Sequence, residues 1–244
     1  MPYKHLVIYA LIGMFLLSCG EDKPQINYKN NIDTTLFVEE FFQDTTKMLV
    51  AELPIKFDST ETLIFAIGQI NLQERGGYSK IGSGSYSDAE IASSYFNKDD
   101  LIGNFINLVF HDKSGEERKL TNKKIRIRSV NFLREIFNKT KRGYLLYSIS
   151  DRDTNGDKEL NNSDLEALYL SKADGTSFKK ITKELHEFYD YHLIAEENTI
   201  YFRTLKDINK DGELTKDDKF HYYKIKFDLD GYLVLEHNPL KVFE

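Results

Sequence analysis

The chain has 244 residues, of which 41% are hydrophobic and 30% charged, and its formal net charge is −6. That is enough apolar material for a packed core, and the length sets one domain, or two small ones, as the starting expectation. With no basic stripe and no basic tail, nucleic acid is excluded as the expected partner.

The chain opens with a short polar segment containing Lys4 and His5, followed by residues 6–17, a run without a charge. This run is too short to cross a bilayer as a helix, but it fits the apolar region of a secretory signal, so residues 1–18 are set apart as a leader. The run ends Leu16-Leu17-Ser18-Cys19, which resembles the lipobox of bacterial lipoproteins. The resemblance implies cleavage before Cys19 and acylation of its thiol. Because Gly20 rather than aspartate follows, it also implies residence at the outer membrane, on the periplasmic or the cell-surface side. Cys19 is the only cysteine, so an intramolecular disulfide is excluded. Residues 19–33 are polar and read as a flexible tether, and 34–244 as the folded domain.

Within that domain, Phe37/Phe41 and Val38/Phe42 are spaced for a short amphipathic helix capped by Asp33 near the N-terminus, with a strand as the alternative. Residues 47–57 and 62–72 read as strands, and 73–87 as a Gly/Ser loop. Ser87 and Glu90 form a capping box for a helical turn ending near Phe96. From residue 104 onward the pattern is all-β. Strands are expected at 104–111, 118–121, 130–137, 144–150, 166–171, 178–182, 189–195, 199–205, 219–227 and 232–236. Turns at Lys113-Ser-Gly115, Asp174-Gly175 and Asp230-Gly231 separate hairpin strands.

Two stretches interrupt this pattern, Asp153-Thr-Asn-Gly-Asp-Lys-Glu-Leu-Asn-Asn-Ser-Asp164 and Asp207-Ile-Asn-Lys-Asp-Gly-Glu-Leu-Thr-Lys-Asp-Asp218. Counting the first aspartate as position 1, oxygen-bearing side chains fall at positions 1, 3, 5, 9 and 12. These are Asp153, Asn155, Asp157, Asn161 and Asp164 in the first loop, and Asp207, Asn209, Asp211, Thr215 and Asp218 in the second. Glu159 and Glu213 stand at position 7, where a main-chain carbonyl adds a further oxygen. Hard cations take such all-oxygen sets. The loops resemble those of the EF-hand and dockerin families, and the resemblance implies two Ca2+ sites. Leu160 and Leu214, at position 8, would pin the loops to the core. Starting the first loop at Asp151 would put Gly156 at position 6, but Leu160 and Asp164 match Leu214 and Asp218 only in the Asp153 register. In that register Lys158 stands where the second loop has Gly212, so the second loop is expected to bind the more tightly.

Three segments share the order strand, Asp/Ser-x-Gly-type turn, strand: 108–121, 168–182 and 223–236. Their spacing of roughly 55–60 residues suits propeller-like repeats, and the middle segment resembles the outer hairpin of TolB-type β-propeller blades. The expected fold is therefore all-β, made of repeated four-stranded antiparallel meanders arranged as a partial propeller. Units 130–182 and 188–236 each carry a calcium loop between their second and third strands. A looser unit, 47–121, carries the Gly/Ser loop in the same place.

The histidines lack zinc spacing, and His186 and His192 read as surface or interstrand residues. Gly82-Ser-Gly-Ser85 is not a nucleophile elbow. The leading expectation is a membrane-anchored, non-catalytic binding or scaffold lipoprotein with calcium as a structural ion and an unidentified protein or glycan partner. A surface glycan-related accessory protein or hydrolase, and a calcium-responsive regulator, are the alternatives.

Overall fold

The computed structural model describes residues 23–29, 47–71 and 95–243. In chain order the elements are β1 (Lys47–Ala51), β2 (Leu63–Asn71), β3 (Tyr95–Asn97), β4 (Asp100–Phe105), β5 (Asn107–His111), β6 (Glu117–Lys119) and β7 (Arg126–Phe132). Helix α1 (Arg134–Thr140) follows, then β8 (Tyr144–Ser150), β9 (Ala167–Lys172), β10 (Lys179–Lys180), β11 (Glu187–Ile194), β12 (Thr199–Lys206), β13 (Lys219–Phe227) and β14 (Tyr232–Glu236). They form three antiparallel sheets, ordered β1-β2-β5-β6, β10-β9-β8-β7-β4-β3 and β11-β12-β13-β14. No closed propeller is formed by the described residues. Among them, too, no helix is long and apolar enough to cross a membrane. Cys19, the helix expected near residues 34–44 and the capping box at Ser87 and Glu90 lie outside the described residues.

The second sheet is the shared wall of two cores. Strand β8, Tyr-Leu-Leu-Tyr-Ser-Ile-Ser, is buried along its whole length. Side chains alternate across a strand. Leu145, Tyr147 and Ile149 therefore pack toward the first sheet, with Ile64, Ala66, Leu108 and Phe110. Tyr144 and Leu146 point the other way, into a second core with Ile200, Phe202, Tyr223, Ile225 and Phe227 of the third sheet. A strand buried on both faces must read as a near-continuous apolar run, and this one does. The turn at Gly175 helps to seal the first interface. Its φ is 79°, and a Cβ there would stand 2.5 Å from the Phe110 ring.

The four-stranded meanders expected at 130–182 and 188–236 are present as β7-β8-β9-β10 and β11-β12-β13-β14. The looser unit is β1-β2-β5-β6. In each, the shared turn phrase forms the last hairpin, so the repeat in sequence is a repeat in structure.

Three expectations are corrected. Residues 104–111 do not form one strand: the chain leaves the second sheet at β4, passes Ile106 and enters the first sheet at β5. Residues 130–137 are not one strand either. The strand is β7, and Leu133, Ile136, Phe137 and Thr140 follow the 3.6-residue period of α1, which lays Leu133 and Ile136 into the second core. Finally, Tyr95–Asn97, where a helical turn was expected to end, belongs to a β-hairpin with β4.

Leu146→Ala should cost about 2–5 kcal/mol of unfolding free energy, because its site is closed on all sides. Leu235→Ala, on the solvent side of β14, should cost about 0.5 kcal/mol or less. Urea denaturation of the two variants tests the double-faced role of the central sheet.

Candidate functional site

The two loops occupy equivalent places. The first joins β8 to β9 and the second joins β12 to β13, each linking the second and third strands of its meander. Strands, not paired helices, flank both.

Their internal geometry matches position by position. At position 1, Asp153 accepts the N–H of Gly156 at 2.6 Å and of Lys158 at 2.8 Å. Asp207 accepts the N–H of Lys210 at 2.6 Å and of Gly212 at 2.9 Å. At position 3, Asn155 accepts from Asp157 N–H and Asn209 from Asp211 N–H. At position 5, Asp157 accepts from Glu159 N–H and Asp211 from Glu213 N–H. At position 12, Asp164 accepts from Thr154 and Asn161, and Asp218 from Ile208 and Thr215. At position 9, Asn161 and Thr215 accept the N–H two residues on. Asp153, Asp164 and Asp207 are buried, while Asp157, Asn209, Asp211, Glu159 and Glu213 face outward.

The register question is answered by the backbone. Positions 4 and 6 are left-handed in both loops: Gly156 (φ 85°) and Lys158 (φ 72°) in the first, Lys210 (φ 60°) and Gly212 (φ 91°) in the second. Asp151 is not turned into the loop. Its carboxylate accepts from Tyr169 Oη at 2.6 Å and pairs with Lys180 Nζ at 2.8 Å. The strain argument for unequal loops is corrected by the same observation. Each loop carries one glycine and one lysine at its two left-handed positions, so the cost that Lys158 brings to the first is matched by Lys210 in the second.

The polar stretch read as a tether has a docked portion. The N–H groups of Gln25, Ile26 and Asn27 donate to the carbonyls of Ser163 (2.9 Å), Gly212 (2.8 Å) and Thr154 (2.7 Å). Gln25 forms an antiparallel bridge with Glu213, and Ile26 is buried. One short strap thus touches both loops. Tyr28 lies near Asp207, and burial together with that carboxylate pushes its pKa up to about 12. Gly212 has a second duty here, because a Cβ would stand 2.5 Å from the Ile26 carbonyl oxygen. Composition gave no sign of this docking, since the contacts are made by main-chain atoms that any sequence supplies. The cues are Ile26 and Tyr28, two apolar side chains in a polar stretch.

Among the described residues no group of three or more His, Cys, Asp or Glu side chains is arranged to hold a metal ion. The loops instead offer two carboxylates at positions 1 and 12, a third at position 5, amide or hydroxyl oxygens, and the position-7 carbonyl, which is the hard-oxygen mixture calcium takes. An oxygen that accepts one N–H keeps a second lone pair for a cation. Burial, with the nearby Asp153 charge, raises the Asp164 carboxyl against the pull of its N–H donors. A cation would relieve that like-charge contact. The donor types suit a hard cation, while the three carboxylates of each loop are not gathered around one point in this structure.

Just below the first loop, Glu166 N–H donates to Glu187 at 2.7 Å while Arg128 pairs with Glu166 at 2.6 Å. Burial, reinforced by the Glu166 charge, raises Glu187 to about 8. Of the two histidines expected near the surface, His192 is exposed, whereas His186 is buried and bonded through Nδ1 to Thr204 Oγ1 at 2.8 Å.

Two predictions follow from these contacts. Gly212→Ala should destabilise the fold and free the strap, while Lys158→Gly and Lys210→Gly should each be neutral or stabilise by up to about 1 kcal/mol, and equally. Chemical denaturation of the three variants reads this directly. Glu187 is raised above its ordinary value, so its contribution is fully present below about pH 4.5 and is lost as pH rises through about 8. The melting temperature should fall between about pH 5 and about pH 9, and Glu187→Gln should flatten that slope.

No protein-family model matches this chain, and no curated protein matches it in sequence, so the chemistry of the paired loops is read from their own atoms.

Proposed function

We propose that this chain is a membrane-anchored, non-catalytic binding or scaffold lipoprotein whose two loops hold calcium as structural ions. The observation that carries the reading is the paired loop geometry: two loops with the same register, the same left-handed positions and inward-held terminal carboxylates, bridged by one strap. In this reading Asp153, Asn155, Asp157, Asn161 and Asp164, with the Glu159 carbonyl, hold one ion. Asp207, Asn209, Asp211, Thr215 and Asp218, with the Glu213 carbonyl, hold the other. Each ion stiffens a loop whose carbonyl receives the strap, so metal binding orders the N-terminal segment along with the loops.

The lipid anchor at Cys19 and the strap then act together. An extended chain advances at most about 3.3–3.6 Å per residue, so Gln25 lies within about 20 Å of an acylated Cys19. The tether is therefore short, and the calcium loops sit next to the outer-membrane surface instead of far from it.

Calcium at a hundredfold excess over Kd adds about 2.7 kcal/mol per site to the native state, and each kcal/mol moves Tm by roughly 2–4 °C at this size. Chelation should lower Tm by several degrees per site and speed tryptic cleavage after Lys29, which is exposed at the end of the strap. Identical melting and cleavage in chelator and in millimolar calcium would remove the metal reading. The anchor is tested separately: a fatty-acid analogue should label the wild-type chain in cells and leave Cys19→Ala unlabelled.

A further inference from the structure

The third sheet has a solvent face that does not behave as a plain polar exterior. Strand register places two cross-strand rows on it. One row is Asp190, Arg203, Tyr222 and the residue after β14, His237, whose N–H donates to the Tyr222 carbonyl at 2.9 Å. The other begins His192, Tyr201 and Lys224. Between the rows lies a cleft of about 310 Å³, walled on one side by Pro239. Small-molecule clefts span roughly 300–1,000 Å³, so this one suits a ligand of one or two rings.

The cleft is already organised. Arg203 Nε and Nη2 hold the two oxygens of Asp190 at 2.6 and 2.7 Å, and the guanidinium lies over the rings of Tyr189 (4.9 Å) and Phe220 (5.3 Å). A fork fixed in this way has little rotamer freedom left to lose when a ligand binds. Tyr201 and His237 meet nearly edge-on, with ring centroids 5.4 Å apart, and form an aromatic corner. The Tyr201 hydroxyl donates to Glu197 at 3.2 Å.

Charge and shape select the ligand class. Among the residues that line the cleft, Asp190 balances Arg203, so neither an anion nor a cation is favoured. Aromatic rings offer flat apolar surface, while the Asp190–Arg203 pair and the histidines offer donors and acceptors around it. A peptide strand would seek main-chain bonds at a sheet edge. Here the cleft lies on a face, where the main chain is already paired within the sheet. We infer that this cleft binds a neutral carbohydrate, with a sugar ring stacked in the Tyr201–His237 corner and its hydroxyls bonded to Asp190, Arg203 and His192. The site does not depend on the calcium loops and stands or falls apart from them.

The full chain, purified in detergent, is titrated by calorimetry with maltotriose, cellotriose, mannotriose and N-acetylated chitotriose, and in parallel with a neutral hexapeptide and inorganic phosphate. At least one trisaccharide should bind with Kd below about 10 mM. Tyr201→Ala and His237→Ala should each weaken it about tenfold or more while the melting curve stays in place. Arg203→Lys, which keeps the charge and loses the fork, should weaken it too and serves if an alanine variant does not fold. The inference is overturned if no trisaccharide binds, if the hexapeptide or phosphate binds in its place, or if trisaccharide affinity is unchanged in all three variants.

Discussion

Everything else in the structure depends on the double burial of β8. A strand with Leu145, Tyr147 and Ile149 on one side and Tyr144 and Leu146 on the other cannot sit at a surface. It draws one sheet onto each face, and the stack of three follows. Because the meanders repeat and stack, their second strands lie in equivalent places, and the loops that leave those strands emerge as neighbours. That is why two loops far apart in the chain can be spanned by the few residues from Gln25 to Asn27. Tertiary packing, not loop chemistry, brings the candidate metal sites together.

Much of this was legible in the sequence because two periodicities are written plainly. Strand alternation located most strands, and the repeated turn phrase located the last hairpin of each unit. Loop register was legible from Leu160 and Asp164 matching Leu214 and Asp218, and the backbone bears it out at positions 4 and 6. What escaped was set by non-local competition. Nothing local to residues 104–111 says that the chain should change sheets at Ile106, since both halves alternate as a strand should. The segment after Phe132 has apolar spacing short enough to suit either period, and burial of Ile136 in the second core decides for the helix.

The two loops were legible in the sequence, but their setting was not. The strap escaped because main-chain hydrogen bonds leave no side-chain signature, and the polar composition of residues 19–33 pointed to a tether. The cleft on the third sheet escaped for a different reason. Tyrosines in strands are most often core or ordinary β-formers, and only the register separates Tyr201 and Tyr222 on the outer face from Phe202 and Tyr223 on the inner one.

That same register explains where the array ends. Two sheets pack when both facing surfaces are apolar, as the inner face of the third sheet is through Ile200, Phe202, Ile225 and Phe227. Its outer face carries Asp190 on the edge strand β11, and Arg203 and Lys224 on the middle strands β12 and β13. Covering it with another sheet would strip water from these charges, at a cost of several kcal/mol per ion that their mutual pairing does not reliably repay. Another meander cannot stack there without a change of sequence on that face. Of the residues that end the stack, Asp190 and Arg203 also line the cleft, so among the described residues the face that no sheet covers is the face that carries the cleft.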